Sequence, residues 1–208
     1  LLEGGADVTV HVVDAKNLEL SLPFTIQLME LGRPVVVALN MMDEARRIGM
    51  HIDASRLGTR LGVRVVPIVA VEGEGLDTLR RAILEAATRS VSPPPAYRDG
   101  ACAAINDLRT RLRGSYPIDP TAVAALALQD DEETLAAIAR TEPDGGREAL
   151  LAAKKLSMSL GAAAYRLAEE RRKTTLRLLL GVVDDGQSAR RAWGDWWGRL
   201  LASPLAGV

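Results

Sequence analysis

The apolar positions fall into two regimes. Residues 35–43 read Val-Val-Val-Ala-Leu-Asn-Met-Met-Asp, so five apolar residues run straight into Asn40 and Asp43. A short uninterrupted apolar run suits a strand covered on both faces, as in a parallel α/β sheet. Val8–Val13 is β-branched and predicts a strand ending at Asp14, and Val63–Val69 predicts a third. Between the first two strands, Ser21 is a fair N-cap and Pro23 suits a first helical turn. Phe24, Leu28 and Leu31 then follow at i, i+4 and i+7, which predicts one buried face, and Gly32 stops the helix. Asp53 caps a short helix with Leu57 and Leu61 inward, closed by Gly62. Glu72-Gly73-Glu74-Gly75 is a turn into a helix with Leu76, Leu79 and Ile83 inward. This βαβαβα order implies a parallel sheet with right-handed crossovers. Three strands alone would expose a long apolar edge. That edge, and an opening Leu1-Leu2-Glu3 without an initiator Met, predict a fragment with something before residue 1.

The second regime begins near residue 98, where Ala, Leu, Arg and Glu dominate and strand signals vanish. Helices are predicted over 99–113, 120–129, 131–140, 146–172 and 187–201. Pro117 and Pro120 separate the first two, Asp130 is the expected cap of the third, and Pro143-Asp144-Gly145-Gly146 turns into the fourth. That fourth segment carries Leu150, Leu151, Leu156, Leu160, Ala164 and Leu167 as a broad apolar stripe, with Glu169–Lys173 expected as a solvated helix end. Val91-Ser92-Pro93-Pro94-Pro95-Ala96 is a short stiff spacer. The predicted organisation is an α/β unit over 1–90, a linker over 91–97, an all-α helical bundle domain over 98–186, and a Trp-rich helix over 187–208.

Composition removes several function classes. The 208 residues are 48% hydrophobic and 25% charged, a globular balance, and the net charge of −1 gives no basic field for nucleic acid. The single Cys102 excludes an internal disulfide and fits a reducing compartment. His11 and His51 have no His or Cys partner at ligand spacing, so no metal site is expected, and His11 is expected to be packed in its strand. No run reaches the roughly 18–20 apolar residues of a membrane span, and no signal peptide is recognisable.

The candidate chemistry lies at Asn40 and Asp43. In parallel sheets ligands bind beyond the carboxyl ends of the strands. An ionised carboxylate only accepts hydrogen bonds, and guanine offers two adjacent donors, N1–H and the 2-amine. Adenine would set its N1 lone pair against the carboxylate. Charge-assisted bonds are worth roughly 1.5–3 kcal/mol each, enough to decide base identity. Asn40 carries a donor and an acceptor, so it suits N7 of the base while tying neighbouring loops together. Asn-x-x-Asp alone is also compatible with a polar loop that merely ends a strand.

Three stretches give the pair a context. Asp7–Glu19 (Asp-Val-Thr-Val-His-Val-Val-Asp-Ala-Lys-Asn-Leu-Glu) resembles the segment after the Asp-x-x-Gly switch of the ferrous iron transport protein B (FeoB) family. Gln27–Asp43 resembles the same family up to its Asn-Met-x-Asp, and Val65–Leu76 resembles its last base-binding loop and the helix after it. The resemblance implies a Ras-like (P-loop GTPase) sheet missing its N-terminal half. It assigns Asp43 to the guanine edge, Asn40 to its positioning, a backbone N–H near Ala70 to the guanine 6-oxygen, and Val69, Ala70 and Val71 to the loop over the base. Met41 stands where a Lys stem usually lies against the base, and Val69-Ala70 lacks the usual hydroxyl that braces Asp43, so modest affinity is expected. No Gly-x-x-x-x-Gly-Lys-[Ser/Thr] occurs in the chain, and Gly73-Glu74-Gly75 does not replace it. The phosphate loop, the Mg2+-binding hydroxyl and both switches are therefore expected before residue 1. The parent protein is expected to be a GTPase using GTP/GDP and Mg2+, with no catalytic residue in this chain and no hydrolysis by it alone.

The resemblance extends, less specifically, over Leu108–Pro117 and Ala163–Arg166 to a helical domain of the family that restrains GDP release. Trp193, Trp196 and Trp197 lie among Arg190, Arg191 and Arg199, a mixture suited to a membrane–water interface. Leu200–Gly207 resembles the approach to the family's first membrane span. The partners implied are guanine nucleotide, a membrane-transport domain of the same protein, and the membrane surface near Trp193–Val208, with oligomers possible. The location implied is the cytosolic face of a bacterial plasma membrane. The alternatives are a translation-factor-class GTPase with a helical appendage, or a non-enzymatic helical interaction module.

Overall fold

The structure is a computed structural model and describes residues 6–89, 91, 93–94 and 100–184. Strand β1 (Thr9–Asp14) leads through a 3-10 turn at Ala15–Asn17 into helix α1 (Leu18–Glu30). Strand β2 (Val35–Asn40) follows, then helix α2 (Met42–Arg47), strand β3 (His51–Ile52), helix α3 (Ala54–Leu61), strand β4 (Arg64–Pro67) and helix α4 (Leu76–Ala87). The sheet is parallel with order β1-β2-β4, and Asp14 stands opposite Asn40 in its register. Because β2 is central, all of Val35–Leu39 is buried.

Helix α1 starts earlier than Ser21. The Asp14 carboxylate accepts from the Lys16 N–H at 2.9 Å and nucleates the turn that runs into it. Pro23 therefore lies inside the helix. The buried stripe includes Leu18, Leu22, Ile26 and Met29 as well as Leu28 and Leu31, whereas Phe24 is half-exposed and meets the His11 ring edge-on at 5.3 Å. The stripe counted from Leu18 puts Phe24 on its flank. Helix α3 forms as expected: the Asp53 side chain accepts from Arg56 N–H at 2.8 Å, Leu57 and Leu61 are buried, and Gly62 closes it in the left-handed region.

The sheet divides two apolar layers. Val13, Val35, Val37 and Leu39 face α1 and α3. Val36, Ala38, Val66 and Ile68 face Ala82 and Ala86 of α4, with Leu76 and Leu79 only half-buried beside them. On that second face Val10 and Val12 stay exposed.

Beyond the spacer come α5 (Gly100–Arg111), α6 (Pro120–Ala127), α7 (Glu132–Thr141), α8 (Arg147–Leu160), α9 (Ala163–Leu179) and strand β5 (Val183–Asp184). Asp119 caps α6. Helix α7 is capped by Asp131 rather than Asp130; the Asp131 carboxylate accepts from Thr134 N–H at 2.9 Å and Oγ at 2.6 Å, while Asp130 is left-handed (φ 58°). The single helix expected over 146–172 is two helices. Gly161 (φ 53°) and Ala162 (φ 47°) leave the helical region, and α9 runs on to Leu179. Glu169–Lys173 is not a solvated end: Glu170 and Arg171 are buried, and Arg171 forks onto Glu30 of α1 at 3.1 and 2.8 Å. Strand signals do not vanish either, since β5 pairs antiparallel with β3. One hydrophobic cluster runs from Leu22 and Leu39 through Leu108 and Leu128 to Leu167 and Leu179. The expected helix over 187–201 lies outside the described residues.

Candidate functional site

The carboxyl ends of β1, β2 and β4 lie side by side, and the loops leaving them build one ledge. Asn40 is the last residue of β2. The next residue, Met41, is left-handed (φ 63°, ψ 35°), so the chain turns from strand to helix in one step. That conformation costs a residue with a Cβ about 1–2 kcal/mol. Met42 and Ala45 are buried and anchor α2 to the core. Asp43 therefore sits in the first helical turn with its side chain 31% exposed, and its Oδ2 accepts from Arg47 Nη2 at 3.4 Å.

The loop after β4 closes onto the same place. Val69 is buried and pairs back on Glu74, its N–H donating to the Glu74 carbonyl at 3.1 Å. A 3-10 turn at Ala70–Glu72 lies between them. Gly75 is left-handed (φ 80°), and a Cβ there would lie 2.4 Å from the Pro67 carbonyl, so only glycine fits. The Ala70 N–H donates to Asn40 Oδ1 at 3.1 Å, which locks the loop to the end of β2. Val71 is 93% exposed at the tip of this turn, and Met41 is partly exposed at the end of β2. Asn40, Met41, Asp43, Ala70 and Val71 are thus brought to one ledge. Val69 contributes only backbone, since its side chain belongs to the core. The ledge is open. A cavity of about 690 Å3 lies beside it, lined by Lys16, Met50, Leu179 and Leu180 among others, and does not include Asn40 or Asp43.

Four charged residues join this site that the sequence pattern did not single out. Lys16, after β1, forms a short ion pair with Glu44 of α2, and this bond raises the ammonium pKa above its ordinary value. Arg46 of α2 pairs with Glu74 at 3.0 Å. Their sequence signal was only a scatter of charges around the strand tips. His11 is packed as expected: Nδ1 is 2.9 Å from Thr25 Oγ, and burial lowers its pKa. Among the described residues no group of three His, Cys, Asp or Glu is arranged to hold a metal ion.

The likeness expected from the sequence holds in both sequence and structure. The family model described as ferrous iron transport protein B matches residues 1–83. Over 83 residues the chain is 51% identical to the Fe(2+) transporter FeoB of Salmonella typhimurium, a stretch covering 40% of this chain and 11% of that protein. The cytosolic domain of L. pneumophila FeoB superposes with a TM-score of 0.72 at 28% identity, covering 88% of this chain and 70% of that one. NFeoB from S. thermophilus, solved with mGMPPNP bound, superposes with a TM-score of 0.73 at 28% identity, covering 87% and 69%. The structural likeness extends past the parallel sheet into the helices, and the fold is α/β with a parallel sheet followed by helices.

Proposed function

We propose that this chain is the guanine-recognising and regulatory part of a GTP-dependent ferrous iron transporter of the FeoB type. The observation that carries this is the ledge itself: Asp43 in the first turn of α2, with Asn40 tied by its amide oxygen to the Ala70 loop. An acceptor-only carboxylate on this open ledge selects the N1–H and 2-amine edge of guanine. With its Oδ1 engaged by Ala70, Asn40 keeps its amide NH2 for N7 of the base. With the Ala70 N–H engaged by Asn40, the neighbouring Val71 N–H is the donor for the 6-oxygen, and Met41 lends apolar contact to the ring.

GTP hydrolysis and Mg2+ binding are assigned to the complete protein, because none of the 208 residues forms a phosphate loop. The chain spans about a tenth of the curated relatives it matches, and iron passage is assigned to a membrane partner region of the same protein. In this reading residues 1–90 recognise the base, 91–97 link, 98–186 form a helical domain that restrains GDP release, and 187–208 approach the membrane surface. The location follows as the cytosolic face of that membrane. No described helix is long and apolar enough to cross a membrane.

Titration of the complete gene product with GDP, ADP and XDP tests the assignment. Asp43→Asn is expected to weaken GDP about 10- to 100-fold, the loss of one charge-assisted bond, and to strengthen XDP, whose 2-oxygen accepts from the new amide. Unchanged GDP affinity removes Asp43 from the site.

A further inference from the structure

Helix α2 has six residues, too few for a helix to hold itself in place through its own hydrogen bonds. Its orientation must come from what grips it. At roughly 100° per residue, Met42 and Ala45 share one side of the helix, and both are buried. Asp43 and Arg47 lie on the opposite side. Glu44 and Arg46, roughly 200° apart, occupy the two flanks between. Each flank is held by a different loop. Glu44 takes Lys16 from the loop after β1, and Arg46 takes Glu74 from the loop after β4. Besides one long bond from Met42 N–H to the Ile68 carbonyl at 3.4 Å, the buried anchors are a flexible methionine and an alanine, which fix the depth of α2 better than its rotation.

We infer that Lys16–Glu44 and Arg46–Glu74 are paired guy-lines that set the rotation of α2 about its axis and thereby aim the Asp43 carboxylate at the two donors of guanine. These four are positioning residues. The inference rests on the guanine reading of Asp43 proposed above. The Arg46–Glu74 pair has a second effect, because Glu74 is also the residue whose carbonyl receives Val69 N–H. One ion pair thus joins the helix that carries Asp43 to the closure of the base loop. The flanks carry opposite signs, Glu44 on one and Arg46 on the other, so each pairs with its own loop and not with the other's. The remaining charge on the Asp43 side is Arg47, 3.4 Å from its carboxylate. A helix released on one flank would rotate Asp43 away from the base.

The test reads the aim of Asp43 directly. GDP and IDP share every group except the 2-amine, one of the two donors to that carboxylate. The ratio of their dissociation constants reports the aim of Asp43, and effects on phosphate binding cancel. In the complete gene product, Arg46→Glu and Glu74→Arg are each expected to reduce the preference for GDP over IDP about 2- to 5-fold, the range of one exposed ion pair. The double reversal is expected to restore it. Lys16→Glu and Glu44→Lys are expected to behave in the same way. Raising NaCl to about 1 M, which cuts the screening length to roughly 3 Å, is expected to lower the preference more in the unmodified protein than in an Arg46→Met/Glu74→Met variant, whose pair is already gone. A preference unchanged by the single reversals and by salt overturns the inference, as does a loss that neither double reversal restores. A wild-type protein that does not distinguish GDP from IDP overturns the guanine reading instead.

Discussion

Glu142 carries more structure than any motif assigns it. Its carboxylate accepts from the N–H of Arg113 at 2.9 Å, the N–H of Gly114 at 2.9 Å and the Tyr116 hydroxyl at 2.5 Å, pinning the loop after α5 to the end of α7. Burial alone would raise its pKa, but these three donors outweigh it and hold the pKa below the ordinary value of 4.5. The same contact, with burial as the larger cause, pushes the Tyr116 hydroxyl pKa up. A carboxyl group with a depressed folded pKa stabilises the fold above its unfolded pKa, and that stability is lost as pH falls through the folded value. Glu142→Gln is therefore expected to lower stability at neutral pH and to flatten the decline below pH 4.5, measured by urea unfolding across pH 3–7. None of this was legible in the sequence, where Glu142 is one acid before a proline. Asp43 and Asn40 were legible, because a short uninterrupted apolar run ending in polar residues marks a strand tip before any contact is known.

At the scale of elements, local chemistry and tertiary context divided the work. The run Val35–Leu39 and the Asp53–Gly62 helix formed where their patterns put them, since burial on both faces and a cap followed by a glycine are local signals. Helix α1 began three residues before Ser21 because Asp14 turned inward to cap the preceding turn. The stop at Gly161-Ala162 had one sequence signal, a lone glycine inside a continuous apolar stripe, and the left-handed Ala162 beside it has none. The loop after β4 is constrained by a glycine. Gly75→Ala adds a Cβ against the Pro67 carbonyl at a positive φ, and is expected to cost at least about 1–2 kcal/mol. It should also weaken GDP more than it weakens the fold, a difference seen by comparing the unfolding midpoint with nucleotide titration.

Across the whole molecule, the helices after the spacer are fastened to the α/β unit at several points, among them Asp119 N–H on the Leu31 carbonyl at 3.0 Å. In the middle of α9, Arg171 forks onto Glu30 of α1, both with side chains no more than 6% exposed. At its end, Arg60 of α3 donates to the carbonyls of Leu178 and Leu180, and Arg56 to that of Gly181 at 2.9 Å. Strand β5 then pairs with β3, the strand that follows α2. The last described strand is thus tied to the element next to the base ledge. Breaking a buried pair strands a charge and costs about 3–5 kcal/mol, while replacing both partners with apolar groups is nearly neutral. Arg171→Met is expected to fall in that range by chemical denaturation, and adding Glu30→Leu should recover most of the loss. If the single variant is as stable as the wild type, the pair does not fasten α9 to α1.

The sequence by itself determined the strand tips, the parallel order of the sheet, most helices and the place of Asn40 and Asp43 at the end of the central strand, because these follow from hydrophobic period, caps and glycines within a few residues of each other. Only the tertiary structure decided that α9 buries Glu170 and Arg171, that β3 finds β5 across more than a hundred residues, and that Lys16 and Glu74 grip α2 from either side. Charged side chains pair with whatever the fold brings near them, and a partner distant in sequence leaves no periodic trace along the chain.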